Sequence, residues 1–225
     1  NPCSDVNLED LDSYFCFNYL PAPRTGLKNV FQLPPGSLLR VSSAGCEVRR
    51  YWTPTVRRNT GAWDPAMAEE FRSLLAASVS SELVSDVPLG IFLSGGLDSY
   101  AVAEAAASAG ARPSAYTLGF AESGFDESDA AKAYSEHLGM PWRRCAFEWS
   151  EPALRRVLDS MGELLADASC FPTCQVAAFA RRTATVILSG DGGDEMLAGY
   201  DTYLAGNLTP VVRKLPAWIL RAVRS

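Results

Sequence analysis

The sequence predicts an α/β protein in which a parallel sheet is flanked by helices. From about residue 64 onward, short apolar segments alternate with helical ones, a pattern typical of parallel strands joined by crossover helices. Three turns containing glycine directly follow predicted strands. Because open parallel sheets bind ligands beyond the carboxyl ends of their strands, we expect these turns to share one binding edge.

Composition narrows the class of protein further. The 225 residues are 48% hydrophobic, which is enough for a packed core, and the net charge of −6 argues against nucleic acid as a partner. No apolar run reaches the roughly 18–20 residues that span a bilayer. Six irregularly spaced cysteines and a single histidine, His137, argue against a zinc site and favour reduced thiols. We therefore expect a cytoplasmic protein without a membrane partner.

Residues 1–60 differ from the rest of the chain. A short amphipathic helix is predicted from Leu8 to Leu20, and strands at 30–33, 38–41 and 47–52, where apolar runs are separated by proline and glycine. This segment is too small to bury its own apolar residues, so we expect it to pack on a larger partner. Residues 59–64 resemble a linker.

The elements after the linker have recognisable beginnings and ends. Asp64 and Pro65 supply an N-cap and a first-turn proline for a helix that continues to about Asp86. Gly110 and Gly139 are placed to end two later helices. The remaining predictions are strands at 89–94, 114–120, 142–148 and 185–188, and helices at 97–109, 127–138, 150–166 and 172–182.

The turn Ser94-Gly95-Gly96-Leu97-Asp98-Ser99 is the strongest candidate site. Its glycines can adopt positive φ and admit a ligand to bare backbone, while the helix after it presents free N–H groups and a positive dipole end. Asp98 suits a Mg²⁺ ion that accompanies a nucleotide phosphate. The turn lacks the Gly-Lys-Ser/Thr of a Walker A loop and is not a GxGxxG turn. A glycine-rich connection without a ligand is the alternative interpretation.

A second glycine-rich turn, residues 189–195 (SGDGGDE), follows the last predicted strand. Asp191, Asp194 and Glu195 offer oxygen ligands or an acceptor for an amine, and Asp194 could hold Mg²⁺ together with Asp98. Taken alone, such a turn could equally be a solvated acidic loop. Its predicted position beside the first turn favours a site.

Several motifs, in order, resemble glutamine-dependent asparagine synthetase, an ATP pyrophosphatase of the adenine nucleotide alpha-hydrolase fold, which is Rossmann-like. They are SELVSDVPLG, FLSGGLDS, YTLGF, DES, ADASCFPT and LSGDGGDE, and the resemblance runs from about Leu8 to Tyr203. It implies that residues 1–60 are the tail of an N-terminal nucleophile hydrolase (glutaminase) domain plus a linker. Residues 61–225 would then be the N-terminal part of the synthetase domain.

The resemblance also implies roles for individual residues. Asp191 would be the catalytic carboxylate near the incoming ammonia, and Asp98 and Asp194 the metal ligands. Asp126, Glu127, Asp167 and Ser169 are weaker candidates for the substrate side. The residues implied to bind ATP and pyrophosphate are Leu93, Ser94, Gly95, Gly96, Asp98, Ser99, Leu118, Gly119, Ser189 and Gly190.

The implied reaction is adenylation of the aspartate side chain by ATP with Mg²⁺, followed by amide formation with ammonia, which in this family is derived from glutamine. A homodimer is compatible with this resemblance. The family's N-terminal cysteine nucleophile is missing, since residue 1 is Asn, and Lys214 lies too early to be the family's synthetase lysine. The chain therefore resembles a fragment, and the apolar face of residues 211–224 is expected to need a covering partner.

Other interpretations remain open. A β-lactam synthetase-like enzyme or another amidotransferase would share the nucleotide motifs and adenylate a different carboxylate, and a non-catalytic nucleotide-binding remnant would keep binding alone. A tRNA-modifying relative is less favoured because a basic face is lacking. The residues interpreted as structural or solvated are His137, Cys170, Cys174, Trp142, Phe147, Trp149, Arg143, Arg144, Arg181 and Arg182, with Arg181 also able to reach a substrate carboxylate.

Overall fold

The structure is a computed structural model that describes residues 5–55, 64–203 and 206. A 3-10 helix over Leu8–Asp10 precedes the first α-helix. In chain order, the elements are α1 (Leu11–Phe17), β1 (Ser37–Ser42), β2 (Gly45–Arg50), α2 (Pro65–Glu82), β3 (Leu89–Phe92), α3 (Leu97–Ser108), β4 (Ser114–Gly119), α4 (Ser128–His137), β5 (Trp142–Ala146), α5 (Glu151–Met161), α6 (Cys170–Ala180), β6 (Val186–Leu188) and α7 (Gly193–Leu197).

Four parallel strands form one sheet in the order β5-β4-β3-β6, which confirms the predicted fold class. In the central strand, Gly90 is aligned with Ser114 of β4 and with Ile187 of β6. The buried core contains Ile91 of β3 together with residues of α2, α3 and α4, so helices cover the sheet. Because the strands run in one direction, the turns after β3, β4 and β6 leave the sheet at the same edge.

The helix boundaries follow from local capping. Asp64 Oδ1 accepts the N–H of Met67 (2.8 Å) at the start of α2, and Ser150 Oγ accepts the N–H of Ala153 (3.3 Å) at the start of α5. Gly110 and Gly139 follow α3 and α4 with φ of 84° and 65°, as predicted for residues that end helices.

The strand predicted at 30–33 is wrong. Within the described residues this segment joins no sheet, and its backbone bonds to a neighbouring turn instead: Thr25 Oγ1 donates to the Val30 carbonyl (2.8 Å) and Gln32 N–H to the Pro23 carbonyl (3.0 Å). Pro34 and Pro35 have no N–H groups, so a strand ladder could not continue past residue 33 either.

The chain divides into two units, and the sheet lies wholly in the second, Ala68–Ala146 with Phe179–Ser225. The first unit combines Asn1–Met67 with Phe147–Ala178. There, Tyr19 forms an isolated bridge with Leu165, and Gln32 Nε2 donates to Glu163. The N-terminal segment thus packs on a later part of the chain, as expected of a piece too small to fold alone.

The hairpin β1–β2 is the exception within the first unit. Its strands are antiparallel, with Leu39 opposite Val48, yet both side chains are exposed, as is Val41. The described residues of this unit therefore do not supply the larger partner that was expected for the hairpin.

No helix among the described residues is long and apolar enough to cross a membrane. Three predictions lie wholly or mainly outside the described residues: the linker at 59–64 (Asp64 excepted), the apolar face of 211–224, and the position of Lys214.

Replacing Gly90 with Ala should destabilise the sheet. An added Cβ would lie 2.5 Å from Cε2 of Tyr116 and 2.9 Å from Cδ1 of Ile187, and the Tyr116 ring cannot yield easily because Tyr116 is almost fully buried. We expect the free energy of unfolding, measured by urea titration, to fall by about 1–3 kcal/mol. Gly124→Ala is the control, since nothing lies within 4 Å of its added Cβ. Equal stability of the two variants would contradict the packing described here.

Candidate nucleotide site

The two glycine-rich turns contact each other. A Cβ added to Gly190 would lie 2.8 Å from the backbone N of Ser99, and one added to Gly193 would lie 2.6 Å from Cγ of Asp98. Asp98 is therefore packed directly against the second turn. The prediction that both turns share one edge of the sheet is confirmed, and the absence of side chains at Gly190 and Gly193 is what allows this approach.

The first turn is held by its two serines. The hydroxyls of Ser94 and Ser99 lie 2.9 Å apart, Ser99 Oγ accepts the N–H of Ser94 (3.1 Å), and Ser94 Oγ accepts the N–H of Gly96 (3.1 Å). Ser99 is buried. The serine hydroxyls thus hold the turn in its shape. The N–H groups in the first turn of α3 have no intrahelical acceptor, because helix geometry leaves them without one.

Gly95 and Gly96 do not adopt positive φ, so that expectation is wrong for both. At Gly95 the requirement is space: an added Cβ would lie 2.9 Å from Cβ of Glu127 and 3.2 Å from Cβ of Ala130. The Gly95 N–H donates to Glu127 Oε2 (2.9 Å). Glycine is needed here because α4 and the residue before it approach the turn closely.

The end of β4, where Leu118 and Gly119 were predicted to line the adenosine pocket, lies beside an ion pair. Arg144 Nη2 contacts Asp126 Oδ2 (3.1 Å), and Arg144 Nε donates to Ser128 Oγ (2.7 Å). The guanidinium covers Gly119, since an added Cβ there would collide with Nε, Cζ and Nη2 of Arg144. A side chain at residue 119 would therefore displace Arg144.

Arg144 was interpreted as a solvated residue; it is exposed, as expected, and its side chain also makes specific contacts. Its side chain is 36% exposed and has two partners. Sequence reasoning assigned Asp126 and Glu127 to the substrate side as weaker candidates, whereas here Asp126 bonds to Arg144 of β5 and Glu127 to the first turn. Two acidic residues, Asp126 and Glu127, precede α4, and two arginines, Arg143 and Arg144, lie in β5. Because β4 and β5 are neighbours in the sheet, these opposite charges were the available signal for an ion pair.

The carboxyl of Asp126 has a lowered pKa. The main cause is the hydrogen bond donated by the Ser128 hydroxyl; the Ser128 N–H and the Arg144 guanidinium lower the pKa further, against an opposing effect of desolvation. Asp126 is therefore ionised throughout the neutral range and keeps Arg144 in place.

The second turn presents three carboxylates in different settings. Asp191 is exposed and its Oδ2 accepts the Ser189 hydroxyl (2.9 Å), which leaves Oδ1 available. Asp194 lies against Gly199, where an added Cβ would collide with Oδ1. Glu195 Oε1 accepts the Tyr200 hydroxyl (2.8 Å), and this bond raises the pKa of Tyr200 to about 12. Glu195 is thus engaged with a phenol.

Three other predicted site residues, Leu93, Asp167 and Ser169, are held by contacts other than those of the two turns. Leu93 buries its side chain in the core, and its carbonyl accepts the Thr117 hydroxyl (2.7 Å). Asp167 and Ser169 belong to the first unit, where Asp167 Oδ1 accepts the Ser169 N–H (2.8 Å) just before α6.

Most residues interpreted as structural have packing partners. Cys170 and Cys174 pack beside Phe171, and Trp142 joins the core of the sheet while Trp149 remains exposed. His137 occupies the last turn of α4. Arg182 lies over the ring of Phe179 and Arg181 donates to Thr185.

The donor set fits a small, hard cation bound together with phosphate. Within residues 5–55, 64–203 and 206, no three His, Cys, Asp or Glu side chains form a candidate metal cluster, and neither Asp98 nor Asp194 pairs with a basic side chain. Mg²⁺ usually takes one or two protein carboxylates, its other ligands being water and phosphate oxygens. Two unpaired aspartates on touching turns are compatible with that requirement.

Asp126→Asn should lower the free energy of unfolding by an amount that depends on pH. Since the folded pKa of Asp126 lies below the ordinary value of 3.8, its carboxylate contributes stability that is fully present above that value and is lost as the pH falls through the folded pKa. The difference in unfolding free energy between wild type and variant, measured from neutral pH to about pH 2, should therefore shrink on acidification.

Asp129→Asn, on an exposed position of α4, is the matched control and should change the unfolding free energy by no more than about 0.5 kcal/mol. A difference between wild type and Asp126→Asn that stays constant over the whole pH range would contradict an electrostatic role for Asp126.

Residues 70–224 match the asparagine synthase family. A Methanocaldococcus jannaschii protein with the provisional name glutamine-hydrolyzing asparagine synthetase 2 is 32% identical over 100% of this chain and 44% of its own length. Glutamine-hydrolyzing asparagine synthetase 1 of Bacillus subtilis is 29% identical over 88% of this chain and 32% of its own length. The solved structure of NMN synthetase from Francisella tularensis is similar with a TM-score of 0.42 and 21% identity, over 62% of this chain and 59% of that chain.

The chain thus spans less than half of the length of these two curated relatives. The family match covers well over half of the chain, and it includes both glycine-rich turns and the ion pair of Asp126 with Arg144. The chain belongs to the asparagine synthase family.

Proposed function

We propose that this chain carries the nucleotide-binding part of a synthetase that uses ATP to activate the side-chain carboxylate of aspartate and then converts it to the amide. The observation that carries the proposal is the contact of Asp98 with Gly190 and Gly193, in a chain of the asparagine synthase family. This contact brings the second glycine-rich turn beside the carboxylate of Asp98, in the first turn of α3, which supports binding of a metal–triphosphate between the two turns.

In the first proposed step, the aspartate carboxylate attacks the α-phosphorus of ATP, the bond to the β-phosphate oxygen breaks, and β-aspartyl-AMP and pyrophosphate form. The first-turn N–H groups of α3 and the hydroxyls of Ser94 and Ser99 would bind the pyrophosphate. The buried Ser99 and its bonded partner Ser94 hold the turn before ATP arrives, so little reorganisation is needed.

In the second proposed step, ammonia attacks the acyl carbon, and asparagine and AMP leave. Asp191 would accept the proton that the attacking nitrogen loses. Its Oδ2 is occupied by the Ser189 hydroxyl, so Oδ1 is the oxygen that would take the proton. Ser189 would therefore orient Asp191 as well as contact ATP.

Asp98 and Asp194 would hold Mg²⁺, which supplies neutralisation of charge on the phosphate oxygens when it is bound. The absence of basic partners for both carboxylates among the described residues supports this role. The small-molecule substrates would be ATP, aspartate and ammonia, the last of which is derived from glutamine in relatives named glutamine-hydrolyzing.

We also propose that residues 1–60 are the tail of a glutaminase-type domain with a linker, and that residues 61–225 begin the synthetase domain. The family match over 70–224 supports the second part, and the relative from M. jannaschii, matched over the whole chain, supports the first.

Exchange of labelled pyrophosphate into ATP tests the proposal in the full-length protein. We expect exchange that depends on Mg²⁺ and aspartate, and we expect Asp98→Asn and Asp194→Asn each to reduce it by about 100-fold, because phosphate charge would be left without its metal. Asp86→Asn, an exposed aspartate outside both turns, is the matched control and should exchange like wild type.

The same assay distinguishes the alternative functions. Exchange that depends on another carboxylic acid, found by scanning candidate acids, would indicate an amidotransferase or a β-lactam synthetase-like enzyme. Binding of ATP without exchange for any acid would indicate a nucleotide-binding remnant. The absence of both ATP binding and exchange would overturn the proposal.

A further inference from the structure

Glu127 connects α4 to the turn that would bind pyrophosphate. Its Oε2 accepts the N–H of Gly95 (2.9 Å), and the Tyr134 hydroxyl, from within α4, donates to the Gly95 carbonyl (3.4 Å). Both polar backbone atoms of Gly95 are thus held from the same side. An added Cβ at Gly95 would lie 2.9 Å from Cβ of Glu127, so only glycine allows this close approach of the turn to α4.

The residues on either side fix Glu127 itself. Ser128 donates its N–H to Asp126 Oδ1 (3.1 Å), and Arg144 binds both Asp126 Oδ2 (3.1 Å) and Ser128 Oγ (2.7 Å). Arg144 in turn covers Gly119 at the end of β4. The segment 126–128 is therefore attached to β5 on one side and to the first turn on the other.

The remaining amides of the first turn are also engaged. The N–H of Ser94 donates to Ser99, that of Gly95 to Glu127 and that of Gly96 to Ser94. The donors left for an anion are those of the first turn of α3, and their direction depends on how the preceding residues are held. Of the three acceptors for these amides, only Glu127 lies outside the turn.

We infer that Glu127 is a positioning residue for pyrophosphate: through its hydrogen bond to Gly95 it sets the direction in which the first turn presents the N-terminus of α3. This inference rests on the proposed function. It concerns the β- and γ-phosphates of ATP and not the base or the α-phosphate. The oxygen of Glu127 is required as an acceptor, whereas its negative charge is not.

Binding of Mg²⁺–ATP and of AMP to the full-length protein, measured by calorimetry, tests this inference. Glu127→Ala should weaken Mg²⁺–ATP binding by about 10-fold, the effect of one lost hydrogen bond, and leave AMP binding within about 2-fold. Glu127→Gln keeps an acceptor oxygen and should bind both nucleotides like wild type. Glu136→Ala, an exposed glutamate on α4, is the control and should change neither affinity.

Five results would overturn the inference. Unchanged ATP affinity in Glu127→Ala would show that the contact does not position the turn, and tighter binding would show that the carboxylate competes with phosphate. Equal loss of ATP and AMP affinity would indicate a general structural role. Loss in Glu127→Gln as large as in Glu127→Ala would assign the effect to charge. Wild-type protein that binds neither nucleotide would overturn the proposed function itself, and the inference with it.

Discussion

The parallel pairing of β3 with β6 is the constraint on which the candidate site depends. In this register Ile91 lies opposite Leu188, so both strands end at the same level and their turns begin side by side. Two such turns can occupy neighbouring positions only if one lacks side chains where the other passes. Gly190 and Gly193 meet that condition against Asp98, and the adjacency of the two acidic turns follows from the pairing.

At the site, glycine is needed more for close packing between parts of the protein than for its backbone conformational freedom. Gly95, Gly190 and Gly193 would each carry an added Cβ within 3.0 Å of a neighbouring residue, and none of the three has positive φ. Gly192 differs, because its φ is 90° and nothing lies within 4 Å of an added Cβ, so a glycine in a motif can indicate either close approach or positive φ. Whether the partner in a close approach is a ligand or another segment requires the structure, and here another segment is the partner at Gly95, Gly190 and Gly193.

Much of the fold could be predicted because its signals are local. Asp64 and Ser150 cap the helices that they precede, and Gly110 and Gly139 follow helices at their ends. The ion pair of Asp126 with Arg144 depends on which strand neighbours which, and on how the loop after β4 folds back, so no local pattern reveals it. Residues 30–33 have the composition of a strand, but their backbone bonds to the turn at residues 23–25 in place of a neighbouring strand.

The exposed hairpin has a consequence for the behaviour of the chain in solution. Leu39, Val41 and Val48 are 50%, 69% and 56% exposed, on a ribbon of only two strands whose outer edges are unpaired among the described residues. Unpaired edges with apolar side chains favour strand addition between molecules. Strand addition at this ribbon, which is remote in sequence from the glycine-rich turns, would lower the colloidal stability of a concentrated sample.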